Sequence, residues 1–344
     1  MKKSIPKDLF IVAEMSGNHN HSLERALNIV DAAAACGADA IKVQTYTPDS
    51  MTLPISGCEF FTINDEASPW HGKSSYAVYK EAALPYAWHK PIFERCKTRG
   101  VIGFSTPFDF EGVDFLENLD VPLYKIASAE IIDLPLLSYV GQTRKPVIIS
   151  TGMANLEEIE EAVETLRKHG CPELALLQCT TSYPALIEDS NLLTIPYMRR
   201  RFPRCRVGLS DHTMGIASAV ASVALGGSII EKHFTLSRTD GGVDSLFSME
   251  PDEFAQLTTE SRNAAKALGC VYYGPSKSET YSINFRRSLF VVQDIKKGEL
   301  FSNSNIRSIR PAAGLHPRHY EYVLTKTACI DIKAGTPLSF EMLG

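Results

Sequence analysis

A chain of 344 residues is too long for one small domain. Its formal net charge of −5, with acidic and basic residues interleaved, argues against nucleic acid and against a membrane surface as partners. Eight scattered cysteines with no C-x-x-C exclude a secreted disulfide framework and a zinc cassette, and predict reduced thiols in a cytoplasm.

The opening "MKKSIPKDLFIVAEMSG" has only a brief apolar run before Glu14, too short for a signal peptide, and no later segment is long enough to span a bilayer. Short β-rich runs then alternate with helical patterns from residue 9 to about residue 270. The predicted strands are 9–16, 39–46, 101–108, 123–128, 145–151, 174–180, 206–212 and 228–234. Several stay apolar until their last residues, as parallel strands buried on both faces do. Amphipathic segments such as "SLERALNIVDAAAACG" (22–37) and "NLEEIEEAVETLRKHG" (155–170) lie between them, the second opening on an Asn155/Glu158 cap pair. Eight strands each followed by a helix predict an α/β fold of the closed (β/α)8 barrel type. An open doubly wound sheet is the rival, without a G-x-G-x-x-G turn to support it.

Residues 47–86, rich in Pro, Ser, Gly and aromatics, interrupt the rhythm and are expected to form a partial lid over the barrel mouth. The domain reading is a barrel over 1–273, a linker over 274–285 and a small domain over 286–344. Within the last, "DIKKGELFS" (294–302) and "DIKAGTPLS" (331–339) form an internal repeat that turns at Gly298 and Gly335. A domain of that size is marginal alone and should pack against the barrel or another chain.

Barrel active sites lie at the C-terminal ends of the strands. Those ends carry Glu14, Lys42, Gln44, Thr106, Lys125, Ser128, Ser150, Thr180, Ser210, His212 and His233. A single Thr or Ser there is commonly a turn residue; polar groups at all eight ends argue for a site. His212 and His233 end consecutive strands, which lie about 4.8 Å apart, so both rings can meet one ion. Two imidazoles with water suit Mn²⁺, Fe²⁺, Co²⁺ or Zn²⁺ in a Lewis-acid role. A third ligand is not assigned; Glu231 and Asp211 are near in sequence, and which way they face is left open. Lys42 and Lys125 are candidates for anchoring phosphate and carboxylate, or for a Schiff-base nucleophile. Glu14, at the edge of the core, is a candidate acid–base group.

The stretches "AEMSGNHNHSLERAL", "GADAIKVQTYTPDSMTL", "FSTPFD", "YKIASAEI", "STGMANLEEIEEAV", "CTTSYPA", "GLSDHT" and "IEKHFTL" follow one another as in the sialic acid synthase family, which the chain resembles over almost its whole length. The closing "RRSLFVVQDIKKGELFSNSNIRSIRPAAGLHP" is similar to that family's antifreeze-like (SAF) domain. "SGNHN" and "DGGVDSLFS" resemble the branch of the family that makes pseudaminic acid from phosphoenolpyruvate and 2,4-diacetamido-2,4,6-trideoxy-altrose. The resemblance implies that His212 and His233 hold a divalent metal, Mn²⁺ with Mg²⁺ or Co²⁺ as alternatives. It implies that Lys42, Thr106, Lys125, Ser128, Ser150 and Ser210 contact phosphoenolpyruvate, that Glu14 is the acid–base carboxylate, and that Tyr183 and Asp244 contact the sugar. Arg310 matches an arginine that a partner subunit's SAF domain extends into the barrel mouth of a domain-swapped homodimer. The chain departs from N-acetylneuraminate synthases at Thr181, where they carry an amide, and at His21, where many relatives carry glycine; both speak against N-acetylmannosamine as acceptor. A legionaminate or N-acetylneuraminate synthase, a lysine Schiff-base aldolase and a non-catalytic sugar-binding protein remain open.

Overall fold

Aliphatic runs with no polar face cannot sit at a surface, and here they are buried on both sides. In the computed structural model, which describes residues 4–55, 57–66 and 68–344, eight parallel strands close into a barrel. They are β1 (Phe10–Glu14), β2 (Ala40–Thr45), β3 (Ile102–Pro107), β4 (Tyr124–Ile126), β5 (Val147–Ser150), β6 (Leu174–Cys179), β7 (Arg206–Asp211) and β8 (Ile229–His233). The register Glu14↔Lys42 on one side and Glu14↔His233 on the other closes the ring through β1. A helix follows each strand, from Leu23–Ala35 after β1 to Pro251–Leu268 after β8. Asn155 and Glu158 form the expected reciprocal cap on the helix Leu156–Lys168, at 3.0 and 2.8 Å.

Side chains on a strand alternate between faces. The inward set Phe10, Val12, Phe104, Leu123, Ile148 and Leu177 fills the lower barrel, and Ile5 joins it. The outward set packs under the helices, with Ile149, Leu176 and Leu209 in one cluster and Ile11, Val43 and Ile230 in another. Each such side chain contributes about 1.5–3 kcal/mol by burial. The filled lower half leaves only the upper end of the barrel open to chemistry.

The segment between β2 and its helix carries a short helix at Pro48–Met51 and another at Ser75–Ala82; residues 56 and 67 of the expected lid lie outside the described residues. Its Trp70 donates through Nε1 to the Val243 carbonyl at 3.0 Å and packs on Tyr183 and Phe247, with ring centroids 5.8 and 6.3 Å away. A basic run over residues 199–206, hidden in the average charge, is partly spent on the fold. Arg201 pairs with Glu160 at 2.6 Å, and Arg206 donates to the Ser228 carbonyl at 2.9 Å.

The chain divides into one unit ending at Gly269 and another spanning Cys270–Gly344. In the second, β9 (Ser288–Val291) and β10 (Ile306–Ile309) pair antiparallel over a core that includes Leu289, Val291, Ile295, Phe301 and Val323. The two repeat segments face one another through an Ile295↔Ile332 bridge. Asp294 accepts from Ala334 N and Lys333 Nζ, and Asp331 accepts from Lys297 N and Lys296 Nζ. Gly298 and Gly335 hold the left-handed turn positions at φ +86° and +88°. All eight cysteines are unpaired, and among the described residues no helix is long and apolar enough to cross a membrane.

Candidate active site

Above the apolar filling the inward positions turn polar on every strand. Glu14, Lys42, Thr106, Lys125, Ser150, Cys179, Ser210 and Glu231 form this layer, all buried. Lys42 Nζ meets Glu14 Oε2 at 2.7 Å and lies 3.4 Å from Thr106 Oγ1. Lys125 Nζ donates to Ser150 Oγ at 2.6 Å. Glu231 Oε1 stands between the two ammonium groups, 3.6 Å from each, and accepts from Ser210 Oγ at 3.2 Å. Ser128, just past β4, accepts from Gly152 N at 3.1 Å, which leaves its hydroxyl proton for another acceptor.

Four buried charges this close share their protons unevenly. Burial pushes the Glu14 carboxyl up to about 7, against Lys42 and with Glu231. Burial acts the same way on Glu231, but Lys125 and Lys42 outweigh it and hold that group below the usual carboxylate range. Burial also lowers Lys125, with Lys42 adding to the effect and Glu231 opposing it. Lys42 goes the other way: burial disfavours its charge, yet Glu14 and Glu231 raise it. The layer therefore holds one carboxylate that stays ionised and one that exchanges a proton near neutrality.

His212 and His233 rise above this layer with ring centroids 5.3 Å apart. The Thr180 carbonyl is 2.8 Å from His212 Nδ1, so that nitrogen carries a proton and Nε2 is the one left to meet a cation. Burial works against the ring's charge, but Cys179 and that carbonyl outweigh it and raise its pKa, so a cation would displace a proton there. Burial, together with His212 and the lysines, drives the His233 pKa well down and keeps that ring neutral. Among the described residues, His233 Nδ1, Glu231 Oε2 and Glu14 Oε1 are buried without a hydrogen-bond partner. Two imidazole donors over orphaned carboxylate oxygens fit a divalent cation, with its other positions left to water or substrate. No group of three or more His, Cys, Asp or Glu among the described residues is arranged to hold one alone. Cys179 lies 4.0 Å from His212 Nδ1; burial pushes its thiol up, but His212, Ser128 and Lys125 outweigh this and bring it down to about 7.

Aromatic groups wall this pair. Tyr183 lies 4.3 Å from His212 and Phe247 lies 5.0 Å from His233, centroid to centroid. Thr181 has a buried hydroxyl without a partner among the described residues. Asp244 accepts from Gly17 N at 2.9 Å, and burial raises its pKa against that bond and one from Ser16. That bond is one of several that lock "SGNHN" to "DGGVDSLFS". Asn18 Nδ2 donates to Ser248 Oγ at 2.8 Å and Asn20 Nδ2 to the Gly241 carbonyl at 3.0 Å. A Cβ on Gly242, whose φ is +122°, would come within 2.3 Å of Asn20 Oδ1. Arg310 follows β10 in the second unit and is exposed.

The predicted barrel residues therefore gather at one end. Two further carboxylates, Glu231 and Glu130, stand beside them. Glu231 lies two residues before His233, and period-two alternation alone puts both on one face. Glu130, beyond β4, has a buried oxygen with no partner among the described residues and a pKa raised by burial; no spacing in the sequence marks it.

A family profile described as NeuB family matches residues 29–273, and one described as SAF domain matches residues 286–344. The chain is 44% identical to a pseudaminic acid synthase of Campylobacter jejuni over 96% of both chains. It is 39% identical to an N,N'-diacetyllegionaminic acid synthase of the same species, over 95% of this chain and 98% of that one. Among solved structures it resembles an N-acetylneuraminic acid synthetase from Leptospira borgpetersenii in complex with citrate. That likeness has 34% identity and a TM-score of 0.71, covering 81% of this chain and 92% of the other.

Proposed function

This chain belongs to the NeuB family and is a phosphoenolpyruvate-dependent condensing enzyme related to the nonulosonate synthases; from that premise we propose that it makes pseudaminic acid from phosphoenolpyruvate and 2,4-diacetamido-2,4,6-trideoxy-altrose. The observation that carries this acceptor is the pair of segments "SGNHN" and "DGGVDSLFS", which resemble the pseudaminic branch and interlock beside the histidine pair. The higher identity to the pseudaminic than to the legionaminic enzyme of one species supports the same choice.

In this reading Lys42 and Lys125, with Thr106, Ser128, Ser150 and Ser210, hold the phosphate and carboxylate of phosphoenolpyruvate. Fixing two reactants in line removes up to roughly 7–11 kcal/mol of barrier. His212 and His233 hold a divalent cation, Mn²⁺ first among the candidates, whose chemistry when bound is polarisation of the open-chain sugar's aldehyde. C3 of phosphoenolpyruvate attacks the aldehyde carbon, water adds at C2, and the tetrahedral intermediate expels phosphate by C–O cleavage. Glu14 moves a proton at the incoming water or at the sugar ring oxygen during opening. Glu231, between the two lysines, favours the charged form of each. Tyr183, Thr181 and Asp244 face the sugar. Arg310 completes the mouth of a partner subunit's barrel in a domain-swapped homodimer.

The test supplies phosphoenolpyruvate with one candidate amino sugar at a time, with and without Mn²⁺, and follows phosphate release and product mass. Turnover confined to the altro-configured diacetamido sugar and dependent on Mn²⁺ is expected. Turnover only with N-acetylmannosamine, or only with the legionaminate precursor, would move the chain to a sister activity.

A further inference from the structure

On β7 and β8 the outward series is apolar at Leu209 and Ile230 and then turns charged at Asp211 and Lys232. Their side chains meet at 2.7 Å, Oδ2 to Nζ, and each is 1% exposed. Asp211 Oδ1 also accepts from Thr213 N at 2.9 Å and Thr213 Oγ1 at 2.8 Å, while Lys232 donates to the Thr213 carbonyl. The pair thus ties the ends of two neighbouring strands from behind the barrel wall. Nothing in the catalytic layer touches it, because it lies on the opposite face from Ser210 and Glu231.

An ion pair stripped of water is a poor way to hold a layer together, and a well-packed apolar pair commonly serves as well or better. What an apolar pair lacks is a set distance and direction. Asp211 immediately precedes His212, and Lys232 immediately precedes His233. We propose that Asp211 and Lys232 are positioning residues that fix the ends of β7 and β8 so that the rings of His212 and His233 converge on one divalent cation. The proposal rests on the reading of that histidine pair as a cation site. Groups hydrogen-bonded to metal-holding histidines typically change metal affinity about 10–100-fold when lost. Asp211 and Lys232 touch neither ring and act through the backbone one residue away, so a smaller effect is expected of them.

The experiment compares the full-length protein with the double variant Asp211→Leu/Lys232→Met, in which the charges are replaced by apolar groups. Mn²⁺ alone is titrated into each without substrate, and free Mn²⁺ is read by electron paramagnetic resonance. The variant should fold with the parent circular dichroism, keep its KM for phosphoenolpyruvate within about twofold, and bind Mn²⁺ about 10-fold more weakly, the low end of what directly bonded partners give. Parent affinity in the folded variant overturns the proposal. If the double variant does not fold, Asp211→Asn, which keeps size and shape, is held to the same criterion. If the parent itself takes up no Mn²⁺, the cation reading of the site fails. The clamp is then judged on the metal-free crystal structure of the variant: displaced or disordered rings support it, and rings placed as in the parent overturn it.

Discussion

Glu14 offers the most direct test of the electrostatics at the barrel mouth. Its carboxyl is fully buried, and burial pushes it from the ordinary 4.5 up to about 7 against the pull of Lys42. Between those values the folded chain binds a proton that the unfolded chain has already lost. Stability from this group is therefore complete below pH 4.5 and is lost as pH rises through 7. At 1.36 kcal/mol per unit, the loss between pH 5 and pH 8.5 comes to about 2–3 kcal/mol. Glu14→Gln keeps the shape and removes the titration, so the variant should lack this part of the pH dependence. Guanidinium unfolding of metal-free parent and variant at the two pH values gives a difference of differences in which the titrating groups away from Glu14 cancel. The variant should gain about 2–3 kcal/mol on the parent between pH 5 and pH 8.5. An unchanged gap would refute the reasoning, because Lys42 at 2.7 Å would then be holding Glu14 ionised throughout.

Two further outcomes follow from the loops and the second unit. Gly242→Ala adds a Cβ 2.3 Å from Asn20 Oδ1 at a φ of +122°, a conformation that costs about 1–3 kcal/mol. It should lower the melting temperature and raise the KM for the sugar while leaving the KM for phosphoenolpyruvate unchanged; steady-state kinetics with each substrate varied would show the split. Arg310→Ala should weaken sugar use far more than phosphoenolpyruvate use. Co-refolded with Glu14→Gln chains, it should regain about a quarter of parent turnover through the mixed dimer, as random pairing in a two-subunit assembly dictates, and no regain in a phosphate-release assay would exclude the shared site.

Much of the barrel is legible because its strands are buried on both faces, which compresses the signal into short aliphatic runs ending in a polar residue. β1 and β8 illustrate it: "FIVAE" and "IIEKH" carry their chemistry at or near the last position. The cap on Asn155 is legible because both partners sit within one helical turn. Glu231 needed one more step, reading alternation backwards from His233. Asp211 is near the histidine pair in sequence and turns out to face away, paired with Lys232, since one residue along a strand is the other side of the wall. The lock between Gly17 and Asp244 spans 227 residues and exists only because β8 closes on β1. No local pattern encodes such a meeting; it is a consequence of ring closure.

The reciprocal aspartates of the small second unit carry a meaning of their own. Asp294 completes the turn of the later segment and Asp331 completes the turn of the earlier one, so neither half is finished without its counterpart. This is the self-complementary contact of an isologous dimer written into a single chain. Loss of either aspartate therefore loosens the opposite turn and leaves its own turn held, so damage to one half is felt in the other.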